Sequence, residues 1–187
     1  MEGSPLSNNT STQAGYLTPI SPGPDYDEAL ERALNRWVLG ITGLPPGNVR
    51  PRWTPTQPPL MPPDVDWCAV GISGFIGDDN PAFTRQSDDS AELWRHEVTE
   101  CLASFYGPHS QRIASIFRDG LTLSQNNDQL IAVGLSLGSI GDIIPFPELI
   151  NNQWVRRYDI TVRLRRKVVR EYGIKPIAEA TVKFFGE

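Results

Sequence analysis

The sequence predicts an α+β fold, a largely antiparallel sheet of about five strands with two to three helices packed on one face, and three observations carry that expectation. The first is the stretch 154–169, WVRRYDITVRLRRKVV, in which Trp154, Tyr158, Ile160, Val162 and Leu164 fall on even positions while Arg157, Asp159, Thr161, Arg163 and Arg165 fall on odd ones. A strand sends successive side chains to opposite faces, so this pattern predicts a long central strand with an apolar face and a basic one. The second is the recurrence of Leu30, Ala33, Leu34, Trp37 and Val38 at helical spacing between acidic and basic residues, which predicts an amphipathic helix over about 26–40. The third is a pair of apolar runs, 66–77 and about 93–106, that read as two buried strands pairing with each other.

In order along the chain, residues 1–23 are rich in Ser, Asn, Thr, Gly and Pro, too poor in core-forming side chains to offset chain entropy, and predict a flexible arm before a single α+β domain over 24–187. Asp25 or Asp27 can cap the first helix and Gly40 or Gly43 can end it. Eight prolines between 44 and 65 exclude a helix and any central strand there, but leave room for a short edge strand at 48–53. Such a run serves either as a stiff crossover or as a ligand for aromatic-lined modules. Residues 78–90 read as a polar loop whose acids lack calcium-loop spacing. Gly107-Pro108 opens a second helix over about 108–119, with Ile113, Ile116 and Phe117 on one stripe, and a shorter helix runs from Ser124 or Asn126 to Gly134. Residues 135–147 predict a bent strand, Asn151-Asn152 a hairpin turn, and 176–185 a last strand beside the central one.

Net charge is −5, but residues 1–153 hold 8 basic and 18 acidic side chains, whereas 154–187 hold 9 basic and 4 acidic. The chain is therefore electrostatically two-sided, which suits head-to-tail self-assembly or contact with an acidic surface. No run is long and apolar enough for a membrane helix and the start lacks a secretory pattern, so a protein that is neither exported nor membrane-bound is expected. Cys68 and Cys101 lack metal-site spacing and read as buried free thiols, with a lone disulfide as the alternative.

No catalytic constellation emerges. His96 and His109 stand outside any metal-ligand spacing, and Asp64 with Asp66 lacks the further residues of a metal-dependent nuclease. Gly134-Leu135-Ser136-Leu137-Gly138 matches G-x-S-x-G, but a helix precedes it where a nucleophile elbow needs a strand. Cofactor and metal sites are not expected, and neither is enzymatic activity.

The order of elements resembles the tail-terminator or neck-completion (head–tail connector) proteins of tailed bacteriophages over about residues 25–186. The resemblance is carried by DYDEALERALNRWV, the DWCAVGI strand after a Pro-rich crossover, FYGPHSQRIASIFRDGL, NNDQLIAVGL and NQWVRRYDITVRLRR. It implies a structural virion protein, made in the bacterial host cytoplasm, whose copies close into a six-fold ring at the neck or tail end. Neighbouring neck, connector or tail-tube proteins would be its partners, with DNA passing through the lumen. The alternative is a nucleic-acid-binding accessory module using Arg156, Arg157, Arg163, Arg165, Arg166, Lys167 and Arg170. An uncharacterised enzyme or accessory factor is the third class. Three readings of the basic strand face stay open: a solvated surface, a subunit contact with Glu28, Glu31, Asp88 or Asp89, and a lining that meets DNA. Arginine's planar fork suits carboxylates across an interface, which favours the subunit contact over the DNA lining.

Overall fold

The computed structural model describes residues 7–56 and 58–174. In chain order the elements are β1 (Ser7–Asn8), β2 (Tyr16–Leu17), α1 (Asp27–Thr42), β3 (Val49–Pro51), β4 (Trp67–Gly77), β5 (Ala82–Thr84), β6 (Ala91–Tyr106), α2 (Ser110–Gly120), a 3-10 turn at Ser124–Asn127, α3 (Asp128–Ala132), β7 (Ser136–Ile140), β8 (Ile144–Pro145), β9 (Glu148–Ile150), β10 (Gln153–Val155) and β11 (Arg157–Tyr172). Residues 1–6 of the expected arm and the strand expected at 176–185 lie outside the described residues.

The α+β class stands, but the sheet is larger and more mixed than expected. Seven strands join in the order β3-β4-β6-β11-β7, with β5 beside β6 and β8 beside β11. The β4–β6 pair is antiparallel from Trp67↔Tyr106 to Gly77↔Glu97, as the two apolar runs suggested, whereas β3 lies parallel to β4. The proline run explains the difference: an extended crossover carries the chain from β3 back to the start of β4 without a hairpin. The predicted bent strand is broken at Gly141 into β7 and β8, both antiparallel to β11. An added Cβ at Gly141 would sit 2.7 Å from the Thr161 carbonyl oxygen, so the close backbone approach there needs glycine.

The chain forms two compact units, which share the continuous strands β6 and β11. One contains 24–77 and 96–167 and holds the main core. There Cys68 and Val70 of β4, Cys101, Ala103 and Phe105 of β6, and Ile160, Val162 and Leu164 of β11 form one apolar sheet face. Leu30, Leu34, Trp37 and Val38 of α1, Ala114 and Phe117 of α2 and Leu130 of α3 cover it. Trp37 meets Phe117 edge-on at 5.6 Å and donates its indole N–H to Asn127 Oδ1 at 3.3 Å, so its polar edge is satisfied although the ring is buried. Helix α1 ends at Gly43, whose φ of 65° is the left-handed cap conformation, with its N–H bonded to the Leu39 carbonyl. Its start differs from expectation: Tyr26 is the N-cap residue and provides no side-chain cap.

The other unit contains 7–23, 78–95 and 168–174 of the described residues. Strands β1 and β2 pair in parallel, Ser11 and Ile20 donate backbone N–H groups to the Gly173 and Glu171 carbonyls, and β5 pairs with the first residues of β6.

Candidate interaction surface

The sequence placed Trp154 on the apolar face of one uninterrupted strand, and the structure corrects this. The chain leaves strand geometry at Arg156, and Trp154 belongs to β10, which pairs with β9 around Asn151 and Asn152. Both asparagines have positive φ, 49° and 61°, as the tightest hairpin turns require, and the hairpin therefore falls where the Asn-Asn pair predicted it. Ile150 and Val155 pack with Ala69, Tyr106 and Trp67, while the cross-strand neighbours Leu149 and Trp154 are 53% and 73% exposed.

Beside this hairpin, Trp67 and Tyr106 stack with centroids 4.3 Å apart on the sheet face opposite the helices. Arg157 is the hub here. It makes two bonds of 2.8 Å to the Asp159 carboxylate, reaches Glu148 at 3.2 Å, and lies over the Phe146 and Tyr106 rings at 4.8 and 5.6 Å. Burial works against its charge, but the bonds to Asp159 and Glu148 and the nearby Tyr106 more than offset that, and its pKa is raised. Burial also raises the Tyr106 pKa, against the pull of the Arg157 and Arg52 cations.

The basic face is therefore largely neutralised from within. Arg163 donates to Glu100 at 2.9 Å, and Arg156 to the Pro108 carbonyl at 3.4 Å. Arg165 is exposed beside Gly138 and has no carboxylate partner among the described residues. Arg166 stands apart from the face on which the others project. Its even position puts it on the helix side, where its side chain is 1% exposed and its Nε bonds Glu97 Oε1 at 2.8 Å. Its Nη1 donates to the Asp25 carbonyl at 2.6 Å, and the guanidinium lies 4.1 Å from the centre of the Tyr26 ring. The Tyr26 hydroxyl donates to the other Glu97 oxygen at 3.2 Å. The parity of Arg166 within the alternating strand was the available sign that it belongs to the core side.

The acidic candidates are dispersed. Glu28 forms an exposed pair with Arg32 one turn on, Glu31 is half-buried on the same helix, and Asp88 and Asp89 are exposed in the 85–90 segment. Glu31, Asp88 and Asp89 are in no ion pair among the described residues. Potential chemistry is equally sparse. No group of three or more metal-ligating side chains occurs among the described residues. His109 Nδ1 lies 2.8 Å from Asp66 Oδ2, and Asp66 Oδ1 accepts the His109 backbone N–H at 2.8 Å, so Asp66 anchors the entry to α2. Ser136, centre of the G-x-S-x-G match, donates its hydroxyl to the Arg165 carbonyl. Cys68 and Cys101 are free, buried thiols.

Among known proteins, the family model described as "Phage neck terminator protein" matches residues 28–187. No curated protein matches the chain.

Proposed function

The chain belongs to the phage neck terminator protein family, and from that membership we propose that its copies close into a six-fold ring that completes and seals the head–tail junction. A structural neck component of the virion is what the family indicates, and the match over residues 28–187 is the observation that carries the reading. The opposed charges of the chain's two parts support head-to-tail contacts between copies, since such heterologous contacts generate rings when the rotation closes. Of Arg156, Arg157, Arg163, Arg165 and Arg166, Arg165 and Arg156 are the ones available to a neighbour's carboxylate, because Arg157, Arg163 and Arg166 are already held by carboxylates. The same pairing leaves little free positive charge for a nucleic-acid interface, so DNA crosses the ring's lumen without being gripped. Imaging and mass measurement of assembled particles test the ring: a closed oligomer of this chain at the neck is expected, and one copy per particle would refute it.

A further inference from the structure

Beside the Trp67–Tyr106 stack lies a pocket of about 220 Å³ whose wall also includes Arg50, Arg52, Trp53 and Leu60, and we propose that it receives the acidic turn 85–90 and Phe83 from a second copy of the chain. The proposal rests on the ring reading and names a contact that would build the ring. Local features hold the pocket open. Trp53 has a φ of 54°, in the left-handed region that a bulky side chain rarely adopts, and its ring lies against Gly71, where an added Cβ would come within 2.8 Å of it. That seat leaves Trp53 61% exposed. Arg50 donates to the Gly47 and Pro59 carbonyls at 3.1 and 2.7 Å, which fixes the proline run as the outer wall.

Arg52 is the cation of this pocket that lacks a counter-ion. Its Nε is buried and bonded to nothing, its Nη2 is 3.5 Å from the Tyr106 hydroxyl, at the limit of a hydrogen bond, and no carboxylate pairs with it among the described residues. Glu148, the acid that shares the Tyr106 hydroxyl, is held by Arg157 at 3.2 Å. A partly desolvated guanidinium gains more from an added carboxylate than a solvated one does. The Trp53 ring, its centre 5.8 Å from the guanidinium, offers a flat apolar surface next to it. The ligand chemistry that fits is therefore a carboxylate carried close to an apolar side chain.

The chain carries such a group on the segment that follows β4. Asp88 and Asp89 are exposed and in no ion pair among the described residues, and the one cation of residues 78–90, Arg85, is held by Glu92 at 3.3 Å. Phe83, 51% exposed, stands on β5 just before this turn. Arg165 also lacks a carboxylate, but it is exposed to water and gains less from one. Strand β4 runs from Trp67 at the pocket to Gly77, where the acidic segment begins, roughly 33 Å at the rise of a strand. One end of β4 thus carries the acceptor and the other leads to the donor, so a second copy brings the two together, and repeated head-to-tail contacts of this kind close rings.

The test uses the full chain assembled into particles. Because Cys68 and Cys101 are buried, thiols introduced by the exposed substitutions Leu60→Cys and Phe83→Cys are the ones a short bis-maleimide reaches. The double variant should cross-link into a ladder up to the ring size, and each single variant should stay monomeric. Adding Arg52→Gln, or Asp88→Asn with Asp89→Asn, should cut the ladder by about tenfold or more, the scale of removing one side of a desolvated charge pair, whereas Arg165→Gln should leave it in place. The two aspartate substitutions should also leave the melting temperature of the isolated protein unchanged. Dimers of either single variant, a cross-linked monomer, cross-links to a different neck protein only, or a ladder lost with Arg165→Gln and kept with Arg52→Gln overturn the contact. A ring of several copies whose double variant forms no ladder also overturns it and leaves the ring reading intact; a single copy per particle overturns both.

Discussion

Replacing Arg166 by Met removes the cation from the node that ties the start of α1 to β6 and β11, and takes the guanidinium away from Glu97, itself 4% exposed. An ion pair this deeply buried stabilises poorly as a pair but costs about 3–5 kcal/mol when broken from one side, because the remaining charge has lost its water as well as its partner. Glu97→Met should cost a similar amount, since it strands the guanidinium and frees the Tyr26 hydroxyl. The double variant removes both charges of the pair, so it should cost less than the two single variants together; the bonds to the Asp25 carbonyl and the Tyr26 hydroxyl that it loses account for about 1–2 kcal/mol. Urea unfolding of the four proteins measures this directly: at about 1–3 kcal/mol per molar urea, each single variant should shift its midpoint by at least about 1 M. A single variant costing under about 1 kcal/mol, or a double variant costing the sum of the singles, would refute the claim that Arg166 is a core residue and return it to the basic surface.

Burial pushes the Cys101 thiol up to about 12 and Cys68 well above its ordinary value of 9.0, so the folded chain keeps these protons where the unfolded chain releases them. The resulting stability is full below pH 9 and is lost as pH climbs toward about 12. Urea midpoints should therefore fall with alkaline pH, less steeply in a Cys68→Ala, Cys101→Ala variant; equal slopes would refute burial of the thiols. Gly107→Ala should cost about 2 kcal/mol or more, because φ is 108° and the new Cβ would meet Asp66 Oδ1 and the Val65 carbonyl at 2.6 Å. Gly40→Ala, with open space around the added methyl, should be neutral or stabilising by up to about 1 kcal/mol. Thermal melts of the two variants decide the matter, and an unchanged Gly107→Ala protein would refute it.

The parts of the fold legible in the sequence are those whose signal is local. Alternation located the body of β11, helical spacing located α1, and the two asparagines located the hairpin turn. What lay beyond reach depends on partners distant along the chain. Arg166 meets a carbonyl 141 residues away and Arg163 a carboxylate 63 residues away, and no spacing rule encodes such meetings. The basic face consequently looked freer than it is. The displacement of Trp154 from the core left a trace in the sequence: the charged Arg156 interrupts the apolar even positions where the backbone leaves strand geometry, and the odd-numbered Val155 is the residue buried there. The parallel pairing of β3 escaped, since a proline-rich crossover specifies stiffness but no direction of return.

Strand β3 at the sheet's edge has a consequence for handling the protein in quantity. An edge strand offers unpaired amides to any passing strand, and stacking of this kind, once begun, is self-propagating. Here the template is three residues long, ends in Pro51, which has no amide to offer, and carries the cationic Arg50 with Arg52 just beyond. Two copies meeting along this border would face a missing donor and like charges. Both features oppose edge-to-edge pairing of copies, and Pro51→Val with Arg50→Val is the pair of substitutions that should promote fibril formation.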